Sequence, residues 1–195
     1  HPVRVITDTP AEARPALLSA WQQQQNALAK LAPDKPVVLI STAGGGLRAA
    51  YWTALILGKL QQNVPQFDQQ LFAISGVSGG SVGSMFYIAS LQHAQQADYA
   101  ARLLDAVGRD YLAPVTASML YGDLAARFIP FNGIDDRAAA LESGWEHGFA
   151  DVFAGPCTMA SSFTAFYFGH DCDRQTWKPL LFSNGTLEET GQRIV

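Results

Sequence analysis

The sequence predicts an α/β fold built on a mostly parallel sheet, and three observations carry that expectation. Two short apolar runs, Val37-Val38-Leu39-Ile40 and Leu71 to Val77, are each followed at once by a glycine-rich turn. Runs of this length and continuity suit buried parallel strands, which do not alternate apolar with polar residues. Each turn then gives way to helical spacing, over Leu47 to Leu60 and over Ser81 to Leu91. Two strand-turn-helix units in succession set both turns at the same carboxyl edge of one sheet.

Taken in order, His1 to Thr7 is a short β-branched lead-in. Thr9-Pro10-Ala11-Glu12 has the capping-box pattern with proline at the first helical position, so a helix is expected from there, or from Pro15, to about Leu31. Gln22 to Gln25 fit its exposed face, and Ala32-Pro33-Asp34-Lys35-Pro36 ends it. Beyond the second strand-turn-helix unit, Asp98 to Val107 is amphipathic and helical. Leu112 to Ile129 is mixed, with Pro114 and Pro130 as its boundaries, and Asp135 to His147 is a further helix carrying Trp145 as a core residue. The central region holds Met119, Leu120, Tyr121, Phe128, Ile129 and Phe131, for which core packing is the default expectation and an apolar lid or acyl-chain groove the alternative.

Composition narrows the class. A chain of 195 residues with 48% hydrophobic and 15% charged residues fits one domain with a sizeable core. The best apolar stretch is interrupted by Arg48 and by glycines, short of the roughly 18 uninterrupted apolar residues a membrane span requires. A net charge of −4 with scattered Lys and Arg gives no nucleic-acid footprint. No phosphate-binding G-x-x-x-x-G-K-[ST] loop is present. Cys157 and Cys172 are too few for a disulfide scaffold; they could pair with each other, but buried free thiols are the expectation. His170-Asp171-Cys172-Asp173 lacks zinc or calcium spacing and reads as a solvated turn.

The chemistry lies in the two turns. In Gly76-Val77-Ser78-Gly79-Gly80 a serine occupies a sharp strand-to-helix turn that small flanking residues tolerate, which presents its hydroxyl clear of the backbone. The amide of Gly79 opens the following helix, where free N–H groups and the helix dipole favour developing negative charge. Gly44-Gly45-Gly46 can bring further N–H groups close to the same reacting oxygen. Either motif alone is common, as a chance G-x-S-x-G or as a tight turn or phosphate cradle. Their conjunction, each after an apolar strand and before a helix, is the specific signal. Arg48 stands in a helical first turn, where a cation opposes the dipole, so an anion or a structural partner is expected beside it.

These residues carry a resemblance. Gly44-Gly45-Gly46-Leu47-Arg48 followed one βα unit later by Gly76 to Ser81 resembles the patatin-like phospholipases and the related catalytic domain of cytosolic phospholipase A. The resemblance implies a three-layer α/β sandwich, with residues 1–195 as the N-terminal portion of a single domain. It implies hydrolysis of a lipid ester by a Ser-Asp dyad, with Ser78 as nucleophile, a scheme that requires no metal or organic cofactor. Gly44, Gly45, Gly46 and Gly79 would then serve as the oxyanion hole and Arg48 as a supporting residue. The family aspartate lies in a D-G-G or D-G-A motif near the far end of the domain. This sequence has no Asp-Gly pair, and Pro179 to Asn184 with Thr190-Gly191 is similar to the strand and turn preceding that motif, so the aspartate is expected beyond Val195. A lipid or phospholipid substrate, peripheral membrane contact and a cytoplasmic or membrane-associated location follow from the resemblance.

Two other readings stay open. The order Ser78, Asp151, His170 suits a Ser-His-Asp hydrolase, with His93 or His147 able to replace His170. Alternatively the Gly44 to Gly46 turn and Arg48 form a non-catalytic module for an anion or lipid head group, or the chain is a non-catalytic remnant.

Overall fold

The computed structural model describes residues 36–122, 137–161 and 178–194, together with Ser19, Gln22, Gln23, Asn26, Phe128 and Tyr167. The expected lead-in, the capping box at Thr9 to Glu12, Ile129, Phe131 and the cluster His170 to Asp173 lie outside these residues. Ser19, Gln22, Gln23 and Asn26 are helical and exposed, as the glutamine run predicts.

The architecture is α/β. Strand β1 (Val38–Thr42) leads through the first glycine turn into helix α1 (Gly46–Asn63). A short helix, α2 (Phe67–Gln70), precedes strand β2 (Leu71–Val77), and the second turn leads into α3 (Gly79–Ser90). There follow α4 (Tyr99–Val107), α5 (Leu112–Ala117), α6 (Arg137–Ala150), strand β3 (Leu180–Thr186) and the two-residue strand β4 (Arg193–Ile194). Strands β1, β2 and β3 are parallel neighbours in that order. Strand β4 pairs antiparallel with Gly185 and Thr186 at the end of β3. The sheet is therefore mostly parallel, as predicted, and consistent with a three-layer sandwich. Strand β1 extends two residues past its apolar run because Ser41 and Thr42 still pair with Ser75 and Gly76.

The core forms where α3 lies on the sheet and α1 and α4 close over it. Leu57, Leu71, Ile74, Phe86, Tyr87, Tyr99 and Leu103 are buried there, and Phe149 and Phe153 extend it toward the end of α6. Each aliphatic or phenyl side chain so buried contributes about 1.5–3 kcal/mol. The phenols that enter this core are paired. Tyr87 donates to Gln61 Oε1 at 2.7 Å, and the Tyr99 and Ser90 hydroxyls lie 2.8 Å apart. Burial pushes both phenols up from their ordinary pKa.

Four expectations are corrected. Pro114 is not a boundary but lies in the first turn of α5, where its missing N–H has no intrahelical acceptor to lose. Asp110 Oδ1 instead starts that helix by accepting from the Leu112 and Ala113 amides at 3.0 Å. The described members of the aromatic and aliphatic set are not core: Met119, Leu120, Tyr121 and Phe128 are exposed, the last two at 76% and 78%. The third correction concerns the thiols, because Cys157 is disulfide-bonded rather than free, and the sequence holds one other cysteine. Lastly, the final helix runs three residues past His147, to Ala150. Trp145 is half-buried against the core, as expected.

Candidate active site

Ser78 joins β2 to α3 with φ 51° and ψ −125°. That is the first central position of a type II′ turn, which glycine adopts freely and a side chain does not. The flanking glycines explain how the turn closes. A Cβ on Gly76 would stand 2.8 Å from Ser81 Cα, and one on Gly80 would stand 2.6 Å from the Ala43 carbonyl oxygen. Only hydrogen fits at either site. The hydroxyl-bearing side chain is consequently held on a strained backbone at the sheet edge, exposed and without a hydrogen bond to any described residue.

The first glycine turn is brought directly against it. A Cβ at Gly44 would lie 3.3 Å from Ser78 Cβ, and one at Gly79 would lie 2.0 Å from the Gly46 carbonyl oxygen. Gly45 and Gly46 have φ 149° and 61°, both costly for any other residue. The predicted set of Ser78, Gly44, Gly46 and Gly79 is thus one contiguous patch, with Gly45 between its members. Neither α1 nor α3 has a side-chain cap on its first turn. Two helix N-termini with free donors therefore meet beside one serine, an arrangement that favours negative charge on a nearby oxygen.

Three further residues shape the patch. Asn184, paired with Val77 across the β2–β3 ladder, donates through Nδ2 to Ser75 Oγ and to the Gly76 carbonyl oxygen, both at 2.9 Å. It ties the third strand to the residues just before the elbow. In the sequence it stood out only as part of Pro179 to Asn184, the stretch similar to a family strand and turn. Thr42 Oγ1 and Ser81 Oγ are buried hydroxyls without a partner, and they lie against Gly80 and Gly76 respectively.

The histidines expected for a triad do not assemble. His93 follows the C-terminal end of α3, so roughly 20 Å of helix at about 1.5 Å per residue separates it from Ser78. It stacks on Phe153 with ring centres 5.1 Å apart. Partial burial, and then the nearby Arg102 guanidinium, lower its pKa. His147 is exposed and its Nδ1 lies 2.8 Å from the Ser143 carbonyl oxygen one turn away. Asp151 pairs with Arg109 at 2.5 Å. All three are engaged elsewhere, and His170 lies outside the described residues.

Arg48 was expected to have an anion or a structural partner beside it. It is exposed and makes no hydrogen bond or ion pair among the described residues. It lies instead on the walls of two clefts, one against β1 and one against the end of α4. Among the described residues no three His, Cys, Asp or Glu side chains cluster as metal ligands would, and no helix is long and apolar enough to cross a membrane.

No family model, no curated protein and no solved structure matches this chain.

Proposed function

We propose that this chain carries the nucleophile and oxyanion hole of a serine-dependent lipid acyl hydrolase of patatin-like type. The observation that carries the reading is the contact of the Gly44 to Gly46 turn with a serine held at φ 51° on a glycine-flanked elbow. Backbone strain of this kind persists only where surrounding structure enforces it, and it gathers at functional sites. Ser78 Oγ attacks the ester carbonyl carbon and its proton passes to a general base. The carbonyl oxygen becomes an anion facing the free amides of the glycine turn and of α3. As the tetrahedral adduct collapses, the carbon–oxygen bond to the alcohol breaks and the alcohol takes the proton. Water then adds to the acyl-enzyme, releasing the carboxylic acid and restoring the Ser78 hydroxyl. The base in this scheme is the aspartate of the family's dyad, which this sequence does not contain in its Asp-Gly form.

A fluorophosphonate probe tests the reading. The expected result is one phosphonyl adduct, mapped by peptide mass to Ser78. In a protein that also carries the dyad aspartate, His93→Gln, His147→Gln and His170→Gln are each expected to label and to hydrolyse short-chain esters within about twofold of the parent. A loss on the order of 10³-fold at any one of the three, with the fold retained, favours a triad and sinks the dyad.

The free guanidinium of Arg48 supports a second reading, in which two uncapped helix N-termini and a cation bind an anionic head group without turnover. The two readings separate at Ser78, since a pure binding site gives no adduct. Under either, Arg48→Ala is expected to weaken anionic substrates or ligands by about tenfold, the equivalent of one charge-assisted hydrogen bond. Neutral esters should be little affected, and the melting temperature should not move beyond the roughly 0.5 kcal/mol of an ordinary surface substitution. Equal damage to neutral and anionic esters would return Arg48 to a bracing role.

A further inference from the structure

A cavity of about 550 Å³ opens between β1 and the first three turns of α1. Its size falls within the roughly 300–1,000 Å³ of small-molecule sites. Ile40, Trp52, Ile56 and Leu57 give it apolar walls, while Gly44 and Gly45 form the end nearest the elbow and Arg48 stands on its wall. Ser78 does not line it. Gly44 joins the two, since it borders the cavity and lies against Ser78 Cβ. A carbonyl held by the glycine turn would therefore have its chain directed along the β1 side of α1. Trp52 is 64% exposed and Ile56 41%, an unusual placement for large apolar side chains on one helix face next to a glycine turn. An occupant that is apolar along its length and carries its polar group at the glycine end fits all of these observations.

We infer that this cavity is the acyl-chain site, holding a straight hydrocarbon chain against Trp52 and Ile56 with its carbonyl at Gly44 and Gly45. The inference deepens the proposed hydrolase reading and rests on it for the identity of the reacting group. Sugars and nucleotides are disfavoured by the same walls, which offer an apolar chain many contacts and hydroxyls few partners.

Two measurements on the full chain test the site. Binding of a dansyl-tagged undecanoic acid is followed by fluorescence, and kcat/KM is followed over straight-chain p-nitrophenyl esters. Affinity and kcat/KM are expected to rise about fourfold per added methylene until the cavity is filled. Ile56→Trp, which fills the cavity, and Trp52→Ala, which removes a wall, are each expected to weaken the dansyl probe at least tenfold. Both should also lower the ratio of long-chain to short-chain kcat/KM. Lys59→Trp, on the same helix and outside the cavity, should keep the ratio of the parent. Because Ile56 and Trp52 are exposed, both variants should fold, which thermal melting checks. Unchanged probe affinity and chain-length ratio in both cavity variants overturn the acyl-chain site, whatever Ser78 does. Probe binding that follows the cavity variants, in a protein whose Ser78 takes no phosphonate, supports the chain site while sinking the hydrolase. A parent protein that binds no dansyl fatty acid overturns the inference outright.

Discussion

Ser78→Gly is expected to make the protein more stable and to destroy its reactivity. Glycine at φ 51°, ψ −125° relieves a backbone strain of about 1–3 kcal/mol. The greater freedom of glycine in the unfolded chain returns about 0.4–1 kcal/mol of that. A net gain of roughly 1–2 kcal/mol corresponds to a rise of about 2–8 °C in the melting temperature of a chain this size. The same change removes the only atom able to form the phosphonyl adduct at the elbow, and ester turnover should fall by about 10³-fold or more. Ser78→Ala separates the two effects. Alanine keeps the Cβ and hence the strain, so it should lose reactivity without gaining stability. Calorimetry on the three proteins beside probe labelling checks both halves. A Ser78→Gly protein that melts lower than its parent would mean that the elbow is not strained.

Gly83→Ala should be the most damaging single methyl in the chain outside the two turns. Gly83 is buried on α3, and a Cβ there would stand 2.3 Å from the Ala50 carbonyl oxygen of α1. That neighbour is helix backbone and cannot rotate away, so the helices must part. The cost is expected at about 3 kcal/mol, the upper end of ordinary overpacking. At roughly 2–4 °C per kcal/mol the melting temperature should drop by about 6–12 °C. Gly185→Ala is the matched control, because nothing lies within 4 Å of a Cβ at that position. Its melting temperature should stay within the roughly 0.5 kcal/mol of a neutral surface change. Equal melting of Gly83→Ala and the parent would show that α1 and α3 do not approach so closely.

The features that the sequence made legible are those fixed by neighbours along the chain. Strand β2 occupies Leu71–Val77 as expected, because a short apolar run bounded by glycine has few other local solutions. The elbow followed from the same local chemistry, three glycines and a serine in five residues. The contact between the two glycine turns was legible only as a conjunction, since Gly44 and Ser78 meet through the pairing of Thr42 with Gly76 on adjacent strands.

What stayed hidden depends on distant partners. Leu120, Tyr121 and Phe128 have core chemistry, and nothing local distinguishes an aromatic side chain that finds a core from one left on the surface. Arg48 was expected to have an anion or a structural partner because a cation opposes the helix dipole there, yet that argument establishes only that the position is unfavourable. It does not name what offsets it. Asn184 had no assigned role in the sequence, because its hydrogen bonds to Ser75 and Gly76 cross more than a hundred residues of chain. The pairing of Cys157 likewise turned on a partner elsewhere in the chain rather than on its own neighbourhood.

The surface around Ser78 that we propose faces an oxyanion is made almost wholly of glycine main chain, and this has an entropic consequence. A donor carried on a lysine or glutamine must give up rotamer freedom worth about 1.5–2 kcal/mol each time it grips an oxygen. Amides of Gly44, Gly45, Gly46 and Gly79 have no rotamers to lose. Their positions are set by backbone lying on backbone between the two turns, where a single added carbon would collide with the Gly46 oxygen. Charge developing on a bound oxygen would meet dipoles already in place, and the free energy gained would not be spent on ordering the site.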